Sequence, residues 1–215
     1  MEQVVREDKY PIIEIFDSIQ GEGSMMGMPV TFVRFRGCNL RCPWCDTKQS
    51  WNIVKAGDQE DGFTWMTIDE IVAKCNRSIV ILTGGEPCMH NLEPLIEVLH
   101  MEEKLACIET NGTLPTPSNV DWVVTSPKPG KYEIHAECFF NELKYVVDTE
   151  FDPDTCIPDE LKGECGRIWL QPCDYGDTPT GTIKTKESIQ RCIELAMKHS
   201  FLRVGIQLHK LYEVK

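Results

Sequence analysis

Short, continuously apolar runs recur along the chain and end in polar loops rich in glycine, proline or asparagine. Residues 10–23 begin with an apolar run and pass into Gln20-Gly21-Glu22-Gly23, a turn whose glycines admit backbone shapes closed to other residues. Pro29 can open a strand but not sit in its middle, so Val30–Arg36 reads as a strand delivering Gly37 and Cys38 at its end. Thr67-Ile68-Asp69-Glu70 has the form of a capping box and starts a helix expected to run to about Asn76. Ser78–Leu82, apolar throughout, has the profile of a buried parallel strand emptying into Thr83-Gly84-Gly85-Glu86-Pro87. Leu92, Leu95, Ile96 and Leu99 recur at helical spacing, predicting a helix over 91–103. Further strands are expected at 105–108, 122–124, 142–147, 167–172 and 202–208, with a helix over 186–199 facing inward through Ile189, Cys192, Ile193 and Met197.

The pattern therefore gives about seven strands but three convincing helices, because 113–121, 129–141 and 148–166 show no helical period. A full (β/α)8 barrel typically needs about 250 residues, and this chain has 215. The expected fold is α/β: an open, partial (β/α) barrel forming one domain over 1–215, with its site at the carboxyl ends of the strands.

Charge narrows the partners. The formal net charge is −12, from 34 acidic against 22 basic residues, and no long basic run occurs. Nucleic acid and anionic membrane surfaces are poor partners for such a chain. The first eight residues lack the charged start and apolar run of a signal peptide, and no stretch approaches the ~18 apolar residues of a membrane span. Eleven cysteines, an odd number, fit a disulfide framework badly, so a reducing cytoplasm is expected.

Three of those cysteines, Cys38, Cys42 and Cys45, are spaced C-x3-C-x2-C. Three thiolates can hold a [4Fe–4S] cluster with one iron left open, whereas a closed zinc site wants a fourth protein ligand. No second C-x2-C or H-x3-5-H pair is present, yet the spacing alone leaves zinc, or simple packing, open. The strand-end residues Cys38, Thr83, Glu109, Ser126, Gln171 and His209 should meet at one mouth. There Gly84-Gly85 would let backbone approach a ligand, and Glu86 would accept hydrogen bonds from an ammonium. Read singly, Gln20–Gly23 and Ser126-Pro127-Lys128 are ordinary turns, and Asn111 suits a left-handed turn before Gly112. Arg34 is a candidate carboxylate clamp on an otherwise surface-like position. His90, His100, His135 and His199 match no motif and are expected at the surface, while Cys88 and Cys173 lack the spacing of a second cluster.

Taken together, C-x3-C-x2-C and the Thr83–Pro87 loop resemble the radical S-adenosylmethionine (SAM) superfamily, with Trp44 at the aromatic position usual between the last two cysteines. A closer resemblance spans nearly the whole chain. Ile19-Gln20-Gly21-Glu22-Gly23, Phe32-Val33-Arg34-Phe35, Gly37-Cys38-Asn39-Leu40, Cys45-Asp46-Thr47, Glu109–Thr113, Ser126-Pro127-Lys128, Glu142-Leu143-Lys144, Leu170-Gln171-Pro172 and Gln207-Leu208-His209-Lys210 are similar to the 7-carboxy-7-deazaguanine synthases. That resemblance implies a trimmed radical-SAM core, a homodimer and a ring contraction of 6-carboxy-5,6,7,8-tetrahydropterin to 7-carboxy-7-deazaguanine with loss of ammonia. It also implies a [4Fe–4S] cluster on Cys38, Cys42 and Cys45, SAM, Mg2+ at Thr47, and an electron donor such as a flavodoxin. SAM would then lie among Trp44, Cys45, Asp46, Gly85, Glu86, Asn111, Ser126, Pro127, Lys128 and Gln171. The pterin would meet Ile19, Gln20, Gly21, Glu22, Arg34, Thr83, His209 and Lys215, with Arg34, Thr83 and His209 nearest the chemistry. The terminal carboxylate, six residues past His209, is expected to help order the pocket. Two other readings compete: a glycyl-radical-enzyme activase, and a metal-binding or electron-transfer module without catalysis.

Overall fold

A computed structural model describes residues 9–55, 57–58, 62–128, 133–148, 151–163, 166–174 and 183–214. One nine-stranded sheet organises them, in the order β3-β1-β2-β4-β5-β6-β7-β8-β9. Its strands are β1 (Lys9–Ile19), β2 (Pro29–Phe35), β3 (Thr64–Thr67), β4 (Ile79–Gly84), β5 (Leu105–Thr110), β6 (Trp122–Thr125), β7 (Glu142–Val147), β8 (Ile168–Pro172) and β9 (Leu202–Val204). From β2 to β9 every neighbouring pair is parallel, while β1 and β3 add an antiparallel edge. The helices are α1 (Ile68–Val72), α2 (Glu93–Met101), α3 (Pro153–Cys156), α4 (Ile183–Lys198) and α5 (Leu208–Leu211). This is the open, mostly parallel α/β architecture expected of the chain.

The strands that read clearly are those buried on both faces. In β4, Val80 and Leu82 pack with Leu92, Leu95, Ile96 and Leu99 around α2, while Ile79 and Ile81 pack on the other face with Val30 and Cys107. Polarity on neither face explains the unbroken apolar run. A second core joins Leu143, Tyr145 and Val147 of β7, Ile168 and Leu170 of β8, and Cys192 and Leu195 of α4.

Five local expectations are corrected. β1 is an eleven-residue strand, not a short run, and its pairing with β2 shifts register between Ile12 and Glu14, which breaks the alternation a strand should display. Thr64–Thr67 pairs with β1 as a strand, where the sequence pattern marks only the helix cap at Thr67. The cap itself forms: Thr67 Oγ1 accepts from Glu70 N and Glu70 Oε2 accepts from Thr67 N, though α1 stops at Val72. In α4 the face turned inward carries Thr185, Ser188, Cys192 and Leu195, and Ile189, Ile193 and Met197 are exposed. The Ser188 hydroxyl donates to Val147 O at 2.6 Å and accepts from Cys173 N at 2.8 Å, so polar residues fasten a helix whose apolar stripe suggested another face. Finally, β9 ends at Val204: Gly205 N bonds back to Leu170 O, and the chain enters α5 instead of extending to 208.

Candidate active site

Two opposed elements enclose a cavity of about 620 Å3 at the carboxyl ends of the parallel strands. One is a floor. Ile19 pairs with Pro29, the first residue of β2, so the turn after β1 folds beneath the sheet. Buried Glu142, at the start of β7, pins that turn by accepting from Ser24 N (3.0 Å), Ser24 Oγ (2.7 Å) and Trp169 Nε1 (2.7 Å). Gln20 and Glu22 then project upward. Gln20 Nε2 donates to Glu109 Oε1 at 3.0 Å, and the Thr83 hydroxyl donates to Glu109 Oε2 at 3.1 Å. Glu22 accepts from Lys144 Nζ and, at 2.9 Å, from Gln207 Nε2.

The segment after β9 closes the side of the cavity. Leu208 N bonds to Gly21 O at 3.0 Å, and a Cβ on Gly21 would stand 2.2 Å from His209 Nδ1. Gly21 therefore seats the imidazole and does not itself line the cavity, contrary to the substrate contact expected of it. Burial tends to raise the Glu22 carboxyl, but the Lys144 ammonium and the hydrogen bonds overcome it and hold the group below its ordinary value. Lys144 is reciprocally held above its own, since Glu22 and Glu109 outweigh desolvation. Burial lowers Lys128, whose Nζ donates to Ser126 Oγ at 2.6 Å, and repulsion from Lys144 adds to it. Burial likewise depresses His209, against the pull of Glu22.

The cysteine loop forms the opposite wall. It starts where Gly37 N bonds to Ser50 O at 2.7 Å, and the loop after β4 lies directly against it: Gly85 N bonds to Phe35 O and Glu86 N to Gly37 O. A Cβ on Gly85 would meet Gly37 O at 2.0 Å, and Gly84, at φ +125°, sits over the Phe35 backbone. The two glycines thus let loop approach loop, and both also line the cavity where backbone was expected to approach a ligand. Glu86 does not line it: the fully buried carboxylate accepts from Cys88 N (3.0 Å), Thr110 Oγ1 (2.7 Å) and Asn111 N (2.7 Å). Instead of an open edge for an ammonium, Glu86 is a strut joining the loops after β4 and β5, and burial raises its pKa.

Cys38, Cys42 and Cys45 all line the cavity as free thiols, as are all ten cysteines of the described residues. Among those residues no three His, Cys, Asp or Glu side chains stand close enough to hold a metal ion. The donor set nevertheless suits iron–sulfur ligation, being three unbridged sulfurs on one wall, with Leu40 N donating to Cys38 Sγ at 3.4 Å. Burial raises the Cys38 and Cys42 thiols, and the Lys128 ammonium opposes that at Cys42. Arg34 reaches the same wall: its Nε bonds Glu14 at 2.9 Å and one terminal nitrogen donates to Thr47 Oγ1 at 3.3 Å. The buried Thr47 hydroxyl in turn donates to Asp46 at 2.8 Å.

Of the expected residues, Ile19, Gln20, Glu22, Arg34, Trp44, Asp46, Thr47, Thr83, Asn111, Ser126, Lys128, Gln171 and His209 line this cavity together with Gly85 and the cysteines. Pro127 does not, and Lys215 with the terminal carboxylate lies outside the described residues. Lys144 and Gln207 were missed as site residues, and Glu109 was placed at the mouth without a role. Each is charged or amide-bearing and falls within Glu142-Leu143-Lys144, Gln207-Leu208-His209-Lys210 or Glu109–Thr113, which is the available signal. His90 is no surface residue: it stacks on Phe35 at 5.4 Å and contacts Arg36 O at 3.1 Å.

Residues 32–148 match the family model of the radical SAM superfamily. The chain is 38% identical over 208 residues to the 7-carboxy-7-deazaguanine synthase of Bacteroides thetaiotaomicron, covering 95% of this chain and 98% of that one. It is 32% identical to the enzyme of the same name from Escherichia coli, covering 96% and 99%. The crystal structure of QueE from Escherichia coli superposes with a TM-score of 0.73 at 29% identity, covering 94% and 95%.

Proposed function

The chain belongs to the radical SAM superfamily and, within it, to the 7-carboxy-7-deazaguanine synthases, and on that premise we propose how its cavity carries out the reaction. The enzyme is a radical SAM lyase that converts 6-carboxy-5,6,7,8-tetrahydropterin to 7-carboxy-7-deazaguanine with release of ammonia. Its [4Fe–4S] cluster and SAM supply, when bound, a one-electron cleavage and a 5′-deoxyadenosyl radical that takes a hydrogen from the substrate. Cys38, Cys42 and Cys45 would hold the cluster, and Gly85, Asn111, Ser126, Lys128 and Gln171, which line the same cavity, would bind SAM. Membership also displaces both competing readings, the activase and the module without catalysis.

The observation that carries the substrate assignment is the polar floor. Glu22 and Glu109 are two carboxylates, each already fixed by a lysine, a glutamine or a threonine, and they face a cavity within the ~300–1,000 Å3 range of small-molecule sites. Such acceptors suit the amine and ring N–H edge of a pterin, while Arg34, lining the same cavity, would pair with its carboxylate. Gln20, whose amide bridges Glu109 and the Glu22 backbone, holds the two acceptors in one register. Thr47, beside Asp46, offers a hard oxygen that would hold Mg2+, and the ion would supply positive charge for the substrate carboxylate.

The homodimer, a flavodoxin-like electron donor, a single catalytic domain and a cytoplasmic setting complete the proposal. Among the described residues no helix is long and apolar enough to cross a membrane. Anaerobic reconstitution tests the assignment: about four irons per chain, and 5′-deoxyadenosine formed in step with loss of ammonia from the carboxypterin, are expected. Zinc bound without iron, or SAM cleavage that needs a partner protein in place of the pterin, would overturn it.

A further inference from the structure

Immediately after the first cysteine, Asn39 is exposed, yet protein atoms take both ends of its amide. Asn39 Nδ2 donates to Thr113 Oγ1 at 2.7 Å, and Asn39 Oδ1 accepts from Asn111 Nδ2 at 2.9 Å. Thr113 Oγ1 closes the circuit by donating to Asn111 Oδ1 at 2.6 Å. Each of the three side chains gives one hydrogen bond and receives one, an arrangement in which each bond polarises the next. The circuit spans 72 and 74 positions of sequence, from the cysteine loop to the loop after β5.

Its far side is rigid. Asn111 is buried, and its backbone N–H is taken by the Glu86 carboxylate, which also accepts from Thr110. Glu86 N bonds to Gly37 O, one residue before Cys38. The cysteine loop is therefore gripped at both flanks of Cys38, through Gly37 by the backbone of Glu86 and through Asn39 by the circuit. Asn111 lines the cavity, whereas neither Asn39 nor Thr113 does.

We propose that Asn39 and Thr113 are positioning residues: with Asn111 they clamp the cysteine loop to the cavity wall, fixing the spacing between the iron site and the SAM site. The inference rests on reading Cys38, Cys42 and Cys45 as cluster ligands. It assigns a task to two side chains that touch neither ligand. Three thiols on a loop without regular structure pay conformational entropy when a cluster gathers them, and a clamp that already holds the loop reduces that cost. The same clamp keeps Asn111 where SAM meets it, so iron retention and SAM affinity are coupled, and coupling of this kind is reciprocal.

Reconstituted wild type is compared with Asn39→Ala, Thr113→Val and Thr113→Ser under anaerobic conditions. Three quantities are read: the rate of iron release to a colorimetric chelator, the SAM dissociation constant of the iron-loaded protein, and the melting temperature of the iron-free protein. Loss of one or two hydrogen bonds predicts iron release faster by about five- to tenfold, and SAM binding weakened by a similar factor, for Asn39→Ala and Thr113→Val. The iron-free melting temperature should fall by no more than about 5 °C, the cost of one or two hydrogen bonds, and Thr113→Ser, keeping the hydroxyl, should behave as wild type. Wild-type iron release and SAM affinity in both hydroxyl- and amide-deleting variants would overturn the clamp. So would a Thr113→Ser protein that fails as Thr113→Val does, or a large fall in melting temperature without faster iron loss. A wild type that takes up no iron would instead overturn the ligand assignment, a separately readable outcome.

Discussion

Replacing Lys144 by methionine probes whether the cavity floor holds an ionised Glu22. Both side chains are largely enclosed, at 14% and 13% exposure, and the remaining side-chain donor to Glu22 among the described contacts is Gln207. Deleting one partner of a buried pair costs about 3–5 kcal/mol, because a charge is left without its counterion. Here Gln207 stays and the pair borders a cavity, so we expect a loss of ~2–3 kcal/mol at neutral pH. For a chain of this length that is a fall of about 5–10 °C in melting temperature. The pH dependence is specific. The Glu22 carboxyl lies below its ordinary 4.5 in the folded state, so its contribution is present above 4.5 and disappears as pH falls through the folded value. Lys144 lies above its ordinary 10.5, so its contribution is present below 10.5 and disappears only as pH rises through the raised value. The gap between wild type and Lys144→Met should thus be flat from about pH 5 to pH 10 and close in acid. Thermal unfolding of the iron-free proteins across that range measures it, with Glu22→Gln/Lys144→Met as the double variant that removes the orphaned charge and restores most of the stability. A Lys144→Met protein that melts with wild type near neutrality, or a gap that does not close in acid, would refute the argument.

Three further outcomes are expected. Gly21→Ala places a methyl 2.2 Å from His209 Nδ1, so the imidazole must move; KM for the pterin should rise by at least tenfold while iron content stays at the wild-type level. His209 is depressed by burial, so its neutral form persists to lower pH than a free imidazole and stability it contributes is present above the ordinary 6.5 and lost in acid; the pH profile of kcat/KM for His209→Gln should lack an acid limb that wild type shows below that value. Thr47→Val removes the hydroxyl that bridges Arg34 and Asp46; activity should lose its response to added Mg2+ after chelation, which titration of chelated enzyme with the ion measures.

Sequence revealed what repeats a physical rule locally. The β4 run is unbroken because both of its faces are covered, the Thr67–Glu70 cap is complete within four residues, and the cysteine spacing is a ligand spacing in itself. What stayed hidden depends on partners far away. Glu86 carries the chemistry of a ligand contact, and its donors Thr110 and Asn111, 24 and 25 positions later, are what make it a strut. Lys144 on a strand reads as a solvated charge until Glu22, 122 positions earlier, is folded beneath it. The α4 face is hidden because the Ser188 hydroxyl docks the helix beside Cys192 and Leu195, and His90 because nothing nearby in sequence announces the ring stack on Phe35.

The closure of the cavity by Gln207 and Leu208 on Glu22 and Gly21 bears on the order in which the protein can assemble. The Gln207–Glu22 bond joins residues 185 positions apart, one of the longest loops the chain can close. Contacts of such separation are disfavoured until intervening structure has drawn the ends together. The cysteine loop, by contrast, is anchored by Ser50 and Glu86, tens of residues away at most. A nascent or partly folded chain can therefore present its iron ligands before it has a pterin site, and substrate recognition is the last property the fold acquires.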